Sequence, residues 1–512
     1  MLIMFSVLAS RIIGFVREMI IAGIFGANRN TDSYVVAFTI PDLLNYLVAG
    51  GALAITFIPI LGGLLERGEE EEGRRVLSIV ATFMGLVLIV GTVISEIFAP
   101  QILHWYKPEW PPEQIMECAR MTRVLIPGPL FFSLGGLLSA MLYTRGSFLV
   151  PALTPVVYNL GTIGGAILLG NRLGVMGLAI GTMAGAILGP FLLPWIAASK
   201  YGIGYRPSLD LGNPHFRRWL RTTIPLMLGV SIVTADDWII RYFTEDEGAI
   251  ANFNFAKKFA AVSIAVLGQA IGQAVMPFFS KLINQGNWTQ FKETVDRSVT
   301  RSVMGGIFAI SLLEAISLPV VRLVYQHGKF GPESAAETSV FFSIFVLSLA
   351  CWIGQGIYSR AFYASGNTFD PMIQSTAVTL LTIPVYWGLL HWRGTPGLAW
   401  ASDAAILLQT ISLAWLLQRR KMLLMNRERW LEILRAAVAA VAAWAAARLV
   451  VEYLEPPAYR ILTEIGVVFA ASVVWIIVVA VLSHLLQLNQ LKAEVANGIE
   501  KLQRRLGLAR LV

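Results

Sequence analysis

Fourteen mostly apolar stretches of membrane-spanning length follow one another along the chain, and no other feature limits its fold as strongly. They run over about 2–25, 32–64, 75–103, 115–144, 150–170, 174–199, 218–243, 249–283, 293–326, 335–364, 371–391, 396–418, 430–453 and 461–487. A helix needs about 20 such residues to cross a bilayer core. Of the 512 residues, 56% are hydrophobic and 14% charged, and mean hydropathy is +0.65. Soluble chains carry about 25% charged residues, so the composition excludes a disordered chain and argues against an ordinary soluble enzyme. In lipid every backbone polar group must be satisfied internally, and runs of this length select helices. The expectation is an all-α polytopic membrane protein with about 14 transmembrane helices. The second, eighth and ninth stretches exceed what a bilayer needs, so they tilt, bend or protrude. Pro41, Pro59, Pro127, Pro129, Pro277 and Pro384 lie within spans or near their ends, where proline bends or breaks a helix.

The formal charge of +8 has its source in the loops. With the N-terminus cytoplasmic, one loop set and the C-terminal tail hold 25 Lys and Arg. The opposite loops hold 6: Arg29, Lys107, Arg172, Lys329, Arg393 and Arg460. Positive loops face the cytoplasm, so both termini are expected there, in a multi-pass membrane protein with no nucleic-acid partner. The first stretch lacks a basic leader and is interrupted by Arg11, Arg17 and Glu18. It reads as a retained helix rather than a signal peptide. Cys118 and Cys351 are far apart in apolar surroundings and read as buried small hydrophobes.

An internal repeat is visible. Gly174-Val175-Met176-Gly177-Leu178-Ala179 recurs as Gly394-Thr395-Pro396-Gly397-Leu398-Ala399 at an offset of 220. Phe57-Ile58-Pro59 recurs as Val275-Met276-Pro277 at 218, and Tyr143-Thr144-Arg145 more loosely as Tyr358-Ser359-Arg360 at 215. The unit is about 220 residues and six spans, so both copies cross the membrane the same way up, related by an axis along the membrane normal. This divides the chain into an N-lobe (1–210), a C-lobe (211–425), an appended helix pair (426–490) and a basic tail (491–512).

Charge inside a span costs about 2.5–3.5 kcal/mol on insertion scales and persists where it pairs or lines a wet cavity. Outside the loops remain Arg11, Arg17, Arg120, Arg123, Arg241, Lys257, Lys258, Arg322 and Arg448. Arg322 and Arg448 lie near span ends, where they can snorkel. Arg11 and Glu18, seven apart, project from nearly one face of the first helix, with Ser10, Gly14 and Arg17 on an adjoining face. Two readings stay open for this stripe: a wall of an aqueous cavity, or Arg–Glu neutralisation against another helix. In the seventh span, Asp237 and Arg241 have the spacing of a local i,i+4 pair. Asp236 is left for a cation or proton site, or for Lys257 or Lys258; Asp403 in the twelfth span is a further candidate ligand. Adjacent Lys257 and Lys258 point about 100° apart and cannot share one narrow site. Thr31-Asp32 reads as a plain helix N-cap, and the acidic run Glu69–Glu72 as a solvated loop. No metal site is firmly expected. The five histidines show no HExxH or HxH spacing and no Walker A loop occurs. The glycine pairs at 50–51, 62–63, 135–136 and 305–306 read as helix packing or bending sites.

The segment Ser10-Arg11-Ile12-Ile13-Gly14-Phe15-Val16-Arg17-Glu18, with Phe25-Gly26-Ala27, Thr31-Asp32-Ser33-Tyr34 and Val36-Ala37-Phe38-Thr39-Ile40-Pro41, resembles the MurJ/MviN family. Phe57-Ile58-Pro59-Ile60-Leu61, Gln326-His327-Gly328-Lys329-Phe330 and Phe362-Tyr363 with Thr368-Phe369-Asp370-Pro371 extend the likeness across the fourteen spans. The resemblance implies a lipid II flippase of the multidrug/oligosaccharidyl-lipid/polysaccharide exporter superfamily. Such a protein is no enzyme: it moves the undecaprenyl-diphosphate-linked peptidoglycan precursor from the inner to the outer leaflet. The resemblance further implies a place in the bacterial inner membrane, two six-helix lobes, a cationic central cavity suited to a diphosphate, and a groove for the polyprenyl tail on the last two helices.

Arg11, Arg17 and Asp32 match the family's functional positions, and Lys258 stands where the family usually has arginine. Asn45 and Gly50 stand in place of the usual arginine and glutamate of the second helix, and Arg120, Arg123 and Arg241 are the cations available to compensate. The expected substrate-binding set is therefore Arg11, Arg17, Lys258 and Arg241, supported by Glu18, Asp32 and Asn45. Asp236, Asp237 and Asp403 are expected to couple transport to a monovalent cation or proton, or the membrane potential drives it; no cofactor is expected. Partners would be lipid II or a similar polyprenyl-linked sugar, membrane lipids and the cell-wall synthesis machinery. Alternatives are a flippase for another polyprenyl-linked saccharide and a small-molecule cation antiporter of the same superfamily. The antiporter predicts twelve spans. A glycosyltransferase or polymerase needs a large extracytoplasmic loop, and the longest here is only about residues 104–114. A scaffold would carry the first-span arginines at a cost and without use.

Overall fold

The computed structural model describes residues 2–49, 56–202, 205–228, 232–264, 270–424, 427–455 and 459–488. Gly50 and the tail 491–512 lie outside them. All fourteen stretches are helical where described. The first is α1 (Leu2–Phe25); the long second one is broken into α2 (Arg29–Ala37), α3 (Thr39–Ala49) and α4 (Ile58–Glu66). Then come α5 (Glu70–Tyr106), α6 (Pro112–Leu125), α7 (Gly128–Thr144), α8 (Leu149–Gly164), α9 (Gly170–Leu173), α10 (Val175–Ala186) and α11 (Leu193–Ser199). Single π-helical turns join α8 to α9 and α10 to α11. The chain continues through α12 (Pro214–Leu228), α13 (Ile232–Phe243), α14 (Ala249–Ile264), α15 (Ala270–Asn284), α16 (Trp288–Ala315), α17 (Ser317–Tyr325), α18 (Pro332–Leu347) and α19 (Leu349–Ala364). It ends in α20 (Phe369–Arg393), α21 (Pro396–Arg419), α22 (Arg427–Leu454) and α23 (Ile461–Leu485).

Among the described residues, eight helical segments are long and apolar enough to cross a membrane. Two bent pairs raise this to 10: α16 with α17, bent by 70°, and α18 with α19, bent by 42°. The ninth stretch thus bends, as its length required. The acidic run is not a loop: Glu70–Glu72 form the first turn of α5, Glu70 and Glu71 exposed and Glu72 half-buried, where carboxylates favour the helix N-terminus.

The chain forms two compact units, one running to Phe255 together with His327–Ser334, the other built from Ala256–Gln326 and the chain from Ala335 onward. The repeat is written into turns of both. Gly174 (φ +57°) and Gly394 (φ +66°) share a backbone conformation open to glycine, each immediately after one helix and at the turn into the next. A Cβ on Gly177 would meet the Leu169 backbone at 2.8 Å, and one on Gly397 the Leu389 carbonyl at 2.0 Å, so both copies need the second glycine as well. Glu69 N donates to Leu64 O (2.9 Å) and Asn287 N to Leu282 O (3.0 Å), the same helix-ending turn at an offset of 218. The third landmark needs correcting. Tyr143 and Gly146 close α7 as Tyr363 and Gly366 close α19, at an offset of 220, whereas Tyr358 to Arg360 lie inside α19.

In the first unit α8 packs on α10 through glycines. A Cβ on Gly161 would lie 2.4 Å from Gly185 Cα, and one on Gly181 2.3 Å from Gly165 Cα. Lipid supplies no hydrophobic drive between helices, so this close backbone approach does the work. In the second unit polar contacts dock the appended pair. Arg429 pairs with Asp296, Arg322 with Glu464 (3.2 Å) and Glu455 (3.5 Å), and Trp475 Nε1 donates to Ser311 Oγ (2.8 Å). Arg322 is therefore a structural cation, and Arg448 makes an i,i+4 pair with Glu452. Gly181→Leu is expected to destabilise the protein by about 1–3 kcal/mol through overpacking. Gly164→Ala, where an added Cβ meets nothing within 4 Å, should melt like the parent in detergent. Equal melting of the two variants would refute the glycine seam.

Candidate functional site

In the first unit the motif residues Ala27, Asp32 and Thr39 meet the turn between α13 and α14 or its flanking helices. The N-cap of α2 is Asn28, whose side chain accepts from Asn30 N (2.9 Å) and Thr31 N (3.3 Å). Asp32 is therefore not the cap of its own helix. Its buried carboxylate reaches another: Oδ2 accepts from Gly248 N (2.6 Å) and Oδ1 from Ala251 N (2.8 Å), at the N-terminus of α14. A carboxylate there meets unpaired backbone N–H groups and the positive helix end.

The other end of the turn is held by a residue that the sequence placed in an ordinary loop. Lys107, 2% exposed, donates from Nζ to the carbonyls of Arg241 (2.9 Å), Tyr242 (3.1 Å) and Thr244 (2.5 Å). These close the C-terminus of α13, where a cation is favoured. Burial pushes the Lys107 ammonium down to about 8, against the raising pull of Glu245, Asp32 and Glu109. Tyr106 Oη donates to Trp238 O (2.5 Å), and Arg241 Nη1 pairs with Asp42 Oδ2 (3.2 Å) and donates to Thr39 Oγ1 (3.5 Å). The Arg241 guanidinium thus turns to α3. On the same side Lys329 N donates to Gly23 O (2.8 Å) and His327 Nε2 lies 3.1 Å from Met19 O. A Cβ on Gly23 would strike the His327 ring at 2.6 Å.

Deeper in α1, Arg17 is ion-paired with its neighbour Glu18 and donates from Nη1 to Asn159 Oδ1 on α8 (2.9 Å). Glu18 is buried and the Arg17 side chain about one-fifth exposed, so the Arg17 charge is balanced by its neighbour, and all three guanidinium nitrogens have partners. Arg11 is exposed. A cavity of about 150 Å³ is lined by Asp42, Asn45, Tyr158 and Thr182 among apolar residues. It joins the expected Asn45 to an unexpected carboxylate.

The remaining expected residues divide between the two units. Asp236 is buried on α13 and Asp237 half-buried, both in the first unit. Lys257, Lys258 and Asp403 belong to the second. Lys258 is exposed, Lys257 lies 5.9 Å from the Phe345 ring centroid, and Asp403 is 9% exposed on α21. Arg123 donates to Glu96 O (3.0 Å) and Arg120 is exposed. Among the described residues no three His, Cys, Asp or Glu are grouped to hold a metal ion. Sequence reasoning missed Lys107, Asp42 and Asn159. Asp42 and Asn159 were open to the same search for polar residues in apolar runs. Lys107 carried only the weak signal of a lysine beside Trp105-Tyr106 at a span end.

Lys107→Met should loosen this turn at pH 7, since three carbonyls lose their donor at about 1–3 kcal/mol. A cysteine at position 246 would then react faster with a membrane-impermeant thiol reagent. The buried ammonium titrates lower than a solvated one near 10.5. The closed turn therefore gains relative to an opened one as pH rises from about 8 toward 10.5, and Lys107→Met should flatten that slope.

A family model described as "Lipid II flippase MurJ" matches residues 21–469. A probable lipid II flippase MurJ of Buchnera aphidicola is 25% identical over 434 residues, 83% of this chain and 84% of that protein. The lipid II flippase MurJ of Burkholderia cenocepacia is 26% identical over 390 residues, 73% of this chain and 74% of its own. Among solved structures, a lipid II flippase MurJ in an inward closed conformation superposes with a TM-score of 0.78 at 21% identity, covering 94% of this chain and 99% of that one. An inward-facing multidrug resistance MATE transporter gives 0.64 at 13% identity, covering 81% and 94%. These likenesses show a shared transporter fold.

Proposed function

The chain belongs to the lipid II flippase MurJ family, and from that premise we propose that it carries lipid II from the inner to the outer leaflet of the bacterial cytoplasmic membrane. It acts as a transporter in peptidoglycan synthesis, not as an enzyme, with both termini cytoplasmic. The 25-to-6 division of loop cations supports that orientation. The turn gripped by Asp32 and Lys107 then lies on the extracytoplasmic side.

The observation that carries the alternating-access reading is this grip. Asp32 and Lys107 hold the α13–α14 turn by backbone groups alone. Those contacts break without unwinding either helix, since water satisfies the exposed groups on opening. The repeat-based lobes, 1–210 and 211–425, are the bodies that move, and 426–490 guides the polyprenyl tail. Arg11, Arg17, Arg241 and Lys258 offer positive charge to the diphosphate, with Glu18 and Asn45 tuning it. Asp236, Asp237 or Asp403 couples the cycle to a monovalent cation or proton; otherwise the membrane potential, worth about 2.3 kcal/mol per charge per 100 mV, drives it. The head-group machinery of cell-wall synthesis receives the product.

Expressed in a bacterium depleted of its own lipid II flippase, the chain should restore lipid II exposure on the outer leaflet. Arg17→Ala should abolish that exposure, because it removes the guanidinium and strands the buried Glu18, a loss on the order of 3–5 kcal/mol. Arg17→Lys keeps the charge but loses the fork and should restore only part. No exposure with the parent protein present in the membrane would point to a different polyprenyl-linked saccharide. Unchanged transport on replacing Asp236, Asp237 and Asp403 with Asn would remove cation coupling through them.

A further inference from the structure

An apolar cavity of about 350 Å³ opens on the first unit between α5, α7 and the segment running from Phe191 into α11. Its wall is built from Leu77, Leu86, Ile89, Leu134, Leu138 and Phe191. Leu86, Ile89 and Trp195 are about half exposed, so it opens sideways as a groove. Along α5 it runs from Leu77 to Ile89, about 18 Å at 1.5 Å per residue. One leaflet of a ~30 Å hydrocarbon core is about 15 Å deep. The length therefore suits one acyl chain standing in one leaflet; a polyprenyl tail, several times longer, would lie mostly outside.

The mouth of the groove has the chemistry of a membrane interface. The segment 205–208 is strapped across α5: Tyr205 Oη lies 3.2 Å from Thr82 Oγ1, Arg206 N donates to Ser78 Oγ (3.2 Å) and Ser208 N to Thr82 Oγ1 (3.2 Å). Trp195 and Tyr205 line the groove, and aromatic rings of this kind sit at headgroup level. Two exposed cations flank them in the chain, Arg206 next to Tyr205 and Lys200 at the end of α11, five residues after Trp195. Their neighbours Arg74 and Arg75 have Glu70 and Asp210. Among the described residues no carboxylate pairs with Arg206 or Lys200.

We propose that this groove binds an anionic glycerophospholipid, one acyl chain against α5 and α7 and the phosphate on Arg206 and Lys200. The orientation proposed above places that lipid in the inner leaflet, but the binding depends neither on that orientation nor on the flippase activity. Gly85 supplies the test, because it lines the groove and a Cβ there meets nothing within 4 Å. The purified full chain is titrated in detergent with dioleoylphosphatidylglycerol or dioleoylphosphatidylcholine, and retained lipids are counted by native mass spectrometry. Two interfacial cations should favour the phosphatidylglycerol by roughly tenfold or more. Gly85→Leu should lose one bound phosphatidylglycerol with an unchanged melting temperature in lipid-free detergent. The double variant Arg206→Gln, Lys200→Gln should keep the site but bind both lipids alike. Equal retention of the two lipids by the parent, a full complement in Gly85→Leu, or displacement of the phosphatidylglycerol by undecaprenyl phosphate would each overturn the proposal.

Discussion

A carboxylate at one helix end and an ammonium at the next hold the turn between α13 and α14. The pairing of signs is dictated by backbone chemistry. A short turn between two helices always joins the negative end of the first to the positive end of the second. Lys107 meets the carbonyls closing α13 and Asp32 meets the N–H groups opening α14. Both charges are 2% exposed, a burial that is tolerable only because fixed dipoles and several hydrogen bonds replace water. Since the partners are main-chain groups, the grip does not depend on the side chains of the turn. It does depend on Gly248, whose φ is +79° and whose Cβ would lie 3.0 Å from Ala27 O.

Arg17 shows the same accounting with a different outcome. Its partner is not a helix end but the adjacent Glu18, with Asn159 as a neutral second acceptor. Such a pair carries no net charge, so it does not attract an anion from a distance. Its guanidinium is held from both sides, by Glu18 on its own helix and by Asn159 on α8.

Much of this was legible in the sequence, for identifiable reasons. Apolar runs and the repeat are patterns of backbone and burial, so they carried over to helices and to paired turns such as those at Gly174 and Gly394. Where they slipped, similarity of side chains misled: Tyr358 to Arg360 look like Tyr143 to Arg145, but Tyr363 and Gly366 occupy the equivalent turn. Asp32 was visible as a cap because carboxylates favour helix N-termini, yet the helix it caps lies over 200 residues away, a distance no local spacing encodes. Lys107 was hidden for the converse reason. Its acceptors are carbonyl oxygens, which every residue has, so no partner residue type announces it. Asp42 as a partner of Arg241 was hidden for the same reason: i,i+4 spacing points to Asp237 on the same helix, and packing adds a partner from another.

The two units also hold their helices together by different means, and the bilayer explains why both work. Apolar side chains gain nothing by leaving lipid for another helix, so association rests on close contact or on polar bonds. The α8–α10 seam uses contact, with glycine opposite glycine over Gly161, Gly165, Gly181 and Gly185. The appended pair packs through alanines such as Ala436, Ala440 and Ala447 and adds polar bonds: Glu464, 1% exposed, lies against Arg322, and the Trp475 indole meets Ser311. A glycine seam fixes distance along its whole length and resists sliding. Polar bonds placed at intervals fix register but leave the apolar surface between them open to lipid, as in α23, where Leu462, Phe469 and Ile476 are all more than half exposed. That exposed face is what a helix needs if it is to stay docked while offering hydrocarbon surface to a lipid chain.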